Sequence, residues 1–166
     1  HNYDGVYRGT VSARTALAGS LNAASVDLAA QLGAARIIAT ARRLGFTGEL
    51  RPELGLALWT SEVSLLELTG SYVPFANGGL RFEPHGVDAV LDADGTLLEA
   101  RAGEPARVFS EAEAALMTDL LREPVRAGTA AGLRRWGLAG VSAGKTGTTD
   151  DGRDAWFVGY TPWLVA

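Results

Sequence analysis

Glycine punctuates the first third of this chain at a spacing that leaves room only for short helices. From Thr10 to Gly45 the sequence is rich in alanine and leucine, with breaks at Gly19, Gly33 and Gly45. Good helix formers closed by a residue that readily takes positive φ predict helices over roughly 12–18, 23–32 and 34–44, each with a left-handed glycine cap. The loop "GSLN", residues 19–22, separates the first two. A fourth helix is expected in "TSEVSLLELTGSYVPFANGG", where Val63, Leu66, Tyr72 and Val73 recur at helical spacing. Thr60 or Ser61 is its expected N-cap, Pro74 should bend or end it, and Asn77-Gly78-Gly79 reads as a stop and turn.

Further along, the period changes. "VDAVLDADGTLLEA", residues 87–100, sets two apolar runs around Asp94-Gly95, a β-hairpin signal. Ser110 to Glu113 spells a capping box and opens a helix expected to run to about Glu123, before Pro124. "LAGVSAGKTGT" and "DAWFVGYTPWLVA" are two β-like segments joined by the turn "TDDGR". Helices first and a terminal antiparallel hairpin last favour an α+β fold over a doubly wound sheet. The 166 residues suit one domain, and no internal repeat divides them.

Composition narrows the function classes. Cysteine is absent, which excludes disulfides and thiol chemistry, and His1 and His85 lie too far apart to suggest a metal site. With a net charge of −4 and no basic run, the electrostatic case for nucleic acid is weak. No stretch approaches the ~18 apolar residues of a membrane span. The chain opens "HNYDGVYRG", polar and turn-like without an initiator methionine or signal peptide, and reads as the middle of a longer protein.

The stretch "AGVSAGKTGTT", residues 139–149, fits several active-site patterns. As a phosphate loop, Ala139 to Thr146 fails, because such a loop needs a helix after its Gly-Lys-Thr and a turn follows here. As a hydrolase elbow, Gly140-Val-Ser142-Ala-Gly144 fails, because no histidine follows the serine. Ser142-x-x-Lys145 imitates a serine acyltransferase motif, but on a strand that spacing sends the two side chains to opposite faces, which discounts Ser142 as nucleophile. Lys145-Thr146-Gly147 remains, and with Ser20-Leu21-Asn22 it forms the pairing of K-T-G and S-x-N found in penicillin-handling enzymes. Each triplet alone has a plainer reading: a helix N-cap for Ser20 to Asn22, an edge strand with a glycine bulge for the other. For Asp154 to Phe157 the plainer reading is hairpin packing onto the core.

Order and surroundings decide between these readings. "YRGTVSARTALAGSLNAASVDLAAQLG", "LALWTSEVSLLELTGSYVPFANGG", "RVFSEAEAALMTDLLREPVRAGTA" and "AGKTGTTDDGRDAWFVGYTP" span nearly the whole chain. Together they closely resemble the transpeptidase domain of bifunctional (class A) penicillin-binding proteins. The resemblance implies a serine β-lactamase-like α+β fold, a helical region plus an antiparallel sheet. It also implies acyl transfer from D-Ala-D-Ala stem peptides of peptidoglycan, and acylation by β-lactam antibiotics, without a cofactor.

On that resemblance Ser20 relays a proton to the leaving nitrogen, and Asn22 bonds the substrate's backbone amide. Lys145 faces the substrate's terminal carboxylate and favours Ser20 as a relay. Thr146 and Thr148, on one face of a strand, donate to that carboxylate. Gly147 allows close approach of substrate. The N–H of Thr148 matches one oxyanion donor, typically worth ~3 kcal/mol in the transition state. The family's nucleophilic S-x-x-K, expected before the S-x-N loop, is absent from these residues, and its last strand and C-terminal helix are expected after Ala166. Residues 1–166 are thus expected to be a central-to-late segment of one transpeptidase domain, inactive alone and completed by the remainder of a parent penicillin-binding protein. The implied location is the bacterial inner membrane, with the domain facing the periplasm or exterior. The alternative is a non-catalytic peptidoglycan-binding or interaction module.

Overall fold

A computed structural model of the chain describes residues 2, 4–58, 62–101, 103–138, 140, 142–148 and 155–166. Three short helices come first: α1 (Ala13–Ala18), α2 (Asn22–Leu32) and α3 (Ala34–Leu44). Ser12 caps α1, its hydroxyl accepting the Thr15 N–H. The three glycines do not act alike. Gly45 is left-handed at φ 105°, Gly33 takes φ 82° with an extended ψ, but Gly19 stays right-handed at φ −88°. The positive φ expected of Gly19 falls on the next residue, Ser20, at 51°.

α4 (Leu65–Ala76) starts later than the sequence suggests, and its N-cap is Ser64, not Thr60 or Ser61, which lie outside the described residues. Ser64 and Glu67 form a reciprocal capping box, the same device as Ser110 and Glu113 at the head of α5 (Glu111–Ala127). Neither Pro74 nor Pro124 ends its helix; α4 continues to Ala76 and α5 to Ala127. Both prolines are fully buried near helix ends, so their packing offsets the lost hydrogen bond. The Pro124 carbonyl also takes two closing bonds, from the N–H groups of Gly128 and Ala130.

Among the described residues the strands form three two-stranded antiparallel sheets. β1 (Leu80–Arg81) pairs with β4 (Ala106–Arg107), strands too short to leave a periodic signal. β2 (Ala89–Leu91) and β3 (Leu97–Ala100) form the expected hairpin, and the Asp92 carboxylate accepts the N–H groups of Asp94 and Thr96 in its turn. All the strand residues of this hairpin are exposed. β5 (Ala143–Thr148) and β6 (Ala155–Tyr160) form the last hairpin; the turn 149–153 and Asp154 lie outside the described residues.

Among the described residues two small cores gather the helices and the last hairpin. Ala41, Phe46, Leu50 and Leu56 gather with Ile37, Ile38 and Leu68 around α3 and α4. Leu121, Ala143 and Tyr160 gather with Leu17, Tyr72 and Phe75, binding α5 to α1, α4 and the last hairpin. α5 is therefore the hub, with α1 on one side and β5 on another. Its C-terminus reaches α1 so closely that a Cβ on Gly128 would stand 2.1 Å from the Ala18 carbonyl oxygen. Only glycine permits that approach.

Candidate active site

The segment after α1 is anchored at both ends. The Ser20 N–H donates to the Leu17 carbonyl (3.3 Å), the Leu21 N–H donates to Ala16 (2.9 Å), and the Leu21 side chain is buried. Between these ties Ser20 holds a left-handed backbone, which costs a non-glycine residue roughly 1–2 kcal/mol. Strain of this kind concentrates at functional positions.

The plainer reading of Ser20 to Asn22 as a helix cap does not hold. Leu21 stands at the N-cap of α2 without a side-chain bond. The Ala23 N–H is taken instead by the buried Asn2, whose Oδ1 accepts it at 3.0 Å while its Nδ2 donates to the Val6 carbonyl. A cap from a residue 21 positions upstream leaves no local pattern to read. Relieved of capping, Ser20 Oγ accepts from Lys145 Nζ at 2.8 Å.

Lys145 is half-buried on β5, on the same face as Ala143, which packs on Leu121 of α5. Strand alternation thus points Lys145 toward the helices, and its long stem bends so that Nζ also donates to the Thr146 carbonyl at 2.7 Å. Burial holds its pKa below the usual lysine value, because leaving water disfavours the ammonium form. No carboxylate among the described residues forms an ion pair with it.

Thr146, next along the strand, places Oγ1 2.6 Å from Oγ1 of Thr129, which follows α5. The Thr129 N–H donates to the Ala18 carbonyl at 3.1 Å, so the two segments meeting β5 are themselves tied together. Gly147 and Thr148 continue the strand into solvent, and a Cβ on Gly147 would meet nothing within 4 Å. Registry with β6 is unbroken from Ala143 to Thr148, so the plainer expectation of a glycine bulge is corrected. Asn22 is the first residue of α2, half-buried.

Thus Ser20, Lys145 and Thr146 meet, Asn22 stands two residues from Ser20, and Gly147 and Thr148 line the open end of β5. Ser142 is buried, with its Oγ donating to the Leu138 carbonyl at 2.6 Å. Trp156, opposite Gly147, is exposed instead of packing on the core, since it sits at the solvent end of the hairpin. No described helix is long and apolar enough to cross a membrane. Sequence reasoning missed Thr129 and Asn2; one lies in a featureless loop and the other caps from afar.

A family model described as the penicillin binding protein transpeptidase domain matches residues 1–165. The chain belongs to the penicillin-binding protein transpeptidase family. Within the family it is 40% identical over 164 residues to penicillin-binding protein 1A of Aquifex aeolicus, covering 99% of this chain and 22% of that protein. Among solved structures, penicillin-binding protein 1A from Haemophilus influenzae superposes with a TM-score of 0.83 at 23% identity, over 96% of this chain and 30% of that one. Penicillin-binding protein A from Mycobacterium tuberculosis, solved as an imipenem acyl-enzyme complex, gives 0.81 at 25% identity, over 97% and 42%. The α+β fold expected from the order of elements is the transpeptidase fold of this family. The chain spans about a fifth of the length of the curated relatives it matches.

Proposed function

We propose that this chain carries the proton-relay and carboxylate-clamp side of a serine-type peptidoglycan D,D-transpeptidase. The observation that carries this reading is the 2.8 Å bond from Lys145 Nζ to Ser20 Oγ, which unites two motifs 125 residues apart. A cation donating to Ser20 Oγ leaves the hydroxyl proton of Ser20 pointing elsewhere. It also stabilises the alkoxide-like oxygen that remains when that proton moves. Ser20 is thereby suited to hand a proton to the nitrogen expelled from a D-Ala-D-Ala bond or a β-lactam ring.

The ammonium of Lys145 has no carboxylate partner among the described residues and attracts that of the substrate. Thr146 and Thr148 donate to the same group from one face of β5, and the Thr148 N–H is one oxyanion donor. The open space over Gly147 admits the substrate, and among the described residues β5 pairs only with β6, leaving its other edge free for an extended peptide. Asn22 bonds the substrate's backbone amide.

The nucleophile comes from elsewhere in the parent protein. The chain's single lysine is Lys145, its one S-x-x-K begins at Ser142, and that hydroxyl is buried and bonded to Leu138. Residues 1–166 are in this reading a central-to-late segment of one transpeptidase domain, which their coverage of longer relatives supports. The parent is a protein of the bacterial inner membrane that presents this domain outside the cytoplasm, where its peptidoglycan stem peptides and β-lactams are met.

Intact-mass spectrometry after exposure to a penicillin tests the reading. The parent protein should gain one adduct mapping to a serine outside residues 1–166, and this chain alone should gain none. An adduct on Ser20 or Ser142 would overturn it.

A further inference from the structure

Thr129 belongs to neither motif, yet it bonds to one and to the helix that leads into the other. Its Oγ1 lies 2.6 Å from that of Thr146, its N–H donates to Ala18, two residues before Ser20, and Gly128 beside it allows the contact between α5 and α1. We propose that Thr129 is a positioning residue for the carboxylate clamp: its hydroxyl donates to Thr146 Oγ1 and so directs the Thr146 proton toward the substrate. The proposal rests on the transpeptidase reading of the site.

Two hydroxyls at this distance share one proton between them, and each has only one to give. If Thr146 donated to Thr129, it would turn a lone pair toward an arriving anion and repel it. If Thr129 donates, Thr146 keeps its proton for the carboxylate, and the chain of bonds runs Thr129 to Thr146 to substrate. Each link strengthens the next. Thr129 is itself exposed, so its hydroxyl is not held there by burial. Its backbone bond to Ala18 fixes the distance between this pair and the Ser20 segment. The clamp and the relay thereby keep a constant spacing.

The test uses the parent protein and two reagents, a β-lactam with a free carboxylate and its methyl ester, comparing second-order acylation rates. Thr129→Val removes the hydroxyl and keeps the shape. We expect it to slow acylation by the acid about fivefold, the worth of one neutral hydrogen bond. The ester should slow by less than twofold, and Thr129→Ser should restore the acid rate. Should the valine variant fail to fold, the acid-to-ester ratio of Thr129→Ala makes the same comparison. An equal loss for acid and ester would show a merely structural residue and overturn the proposal, as would no loss in either. If the unaltered protein reacts with neither reagent while Thr129→Val is equally stable, the transpeptidase reading falls and takes this role with it.

Discussion

Lys145 donates to the hydroxyl of Ser20 at 2.8 Å and, with the same ammonium group, to the carbonyl of Thr146 at 2.7 Å. A strand residue thus grips a helix-loop residue and its own neighbour at once. Both bonds are stronger from the protonated lysine, and burial weakens its hold on that proton.

Opposite pH slopes for activity and stability follow from that. Acylation of the parent protein by penicillin should fall as pH rises through the depressed lysine value, below the ordinary 10.5. Between the folded value and 10.5 the unfolded chain holds more protons than the folded one, so stability should rise with pH across the same window. Labelling lysine with carbon-13 checks it directly in the 166-residue chain, where Lys145 is the only lysine. A titration midpoint at or above 10.5 would contradict the account.

Ser20 should separate chemistry from strain. Ser20→Gly relieves about 1 kcal/mol of left-handed strain, which offsets a lost hydrogen bond of similar size. Its melting temperature should therefore stay close to that of the unaltered protein, while acylation drops on the order of a hundredfold. Ser20→Ala keeps the strain and loses the bond, so it should be less stable than the glycine variant by about 1 kcal/mol. Urea unfolding of the two variants decides the order.

Gly128 is a spacer between helices. In Gly128→Ala the new Cβ would lie 2.1 Å from the Ala18 oxygen, a backbone atom that cannot swing aside. Forcing α1 from α5 should cost about 3 kcal/mol. Acylation should fall too, because Ser20 moves with α1. A variant as stable as the parent would show that the helices adjust freely.

Glu67 ties α4 to the end of α3. One carboxylate oxygen accepts the N–H (2.9 Å) and hydroxyl (2.6 Å) of Thr47, the other the N–H and hydroxyl of Ser64. These bonds, those from Thr47 foremost, hold its pKa at about 2. A depressed carboxylate stabilises the fold above its ordinary value of 4.5 and loses that contribution as pH falls toward 2. Glu67→Gln should therefore cost about 1 kcal/mol at pH 7. The gap should shrink in denaturant titrations between pH 4.5 and 2.

Much of this was legible in the residues. Capping chemistry is local, so Ser110 and Glu113 announced α5, and Asp94-Gly95 announced the β2–β3 hairpin. The expected cap of α4 is Thr60 or Ser61, but Ser64 takes that place, with its capping partner Glu67 held by Thr47, a contact outside the local pattern. Burial overrode the breaking tendency of Pro74 and Pro124, a tertiary effect no window of sequence contains. The meeting of Ser20 with Lys145 followed from the motifs by resemblance, whereas the way Lys145 reaches inward depended on which face of β5 meets α5. Thr129 carried no signal of its own; a threonine after a helix gains meaning only when a strand arrives beside it.

The β2–β3 hairpin offers something practical. Its strands expose Leu91, Leu97 and Leu98 and pack chiefly on each other. Lengthening its turn between Asp92 and Thr96 removes nothing from either core and leaves the bonds among Ser20, Lys145 and Thr146 in place. Exposed loop tips of this kind accept inserted sequence. A fluorescent or affinity tag belongs there, as a graft site that reports on the protein while the chemistry proceeds undisturbed.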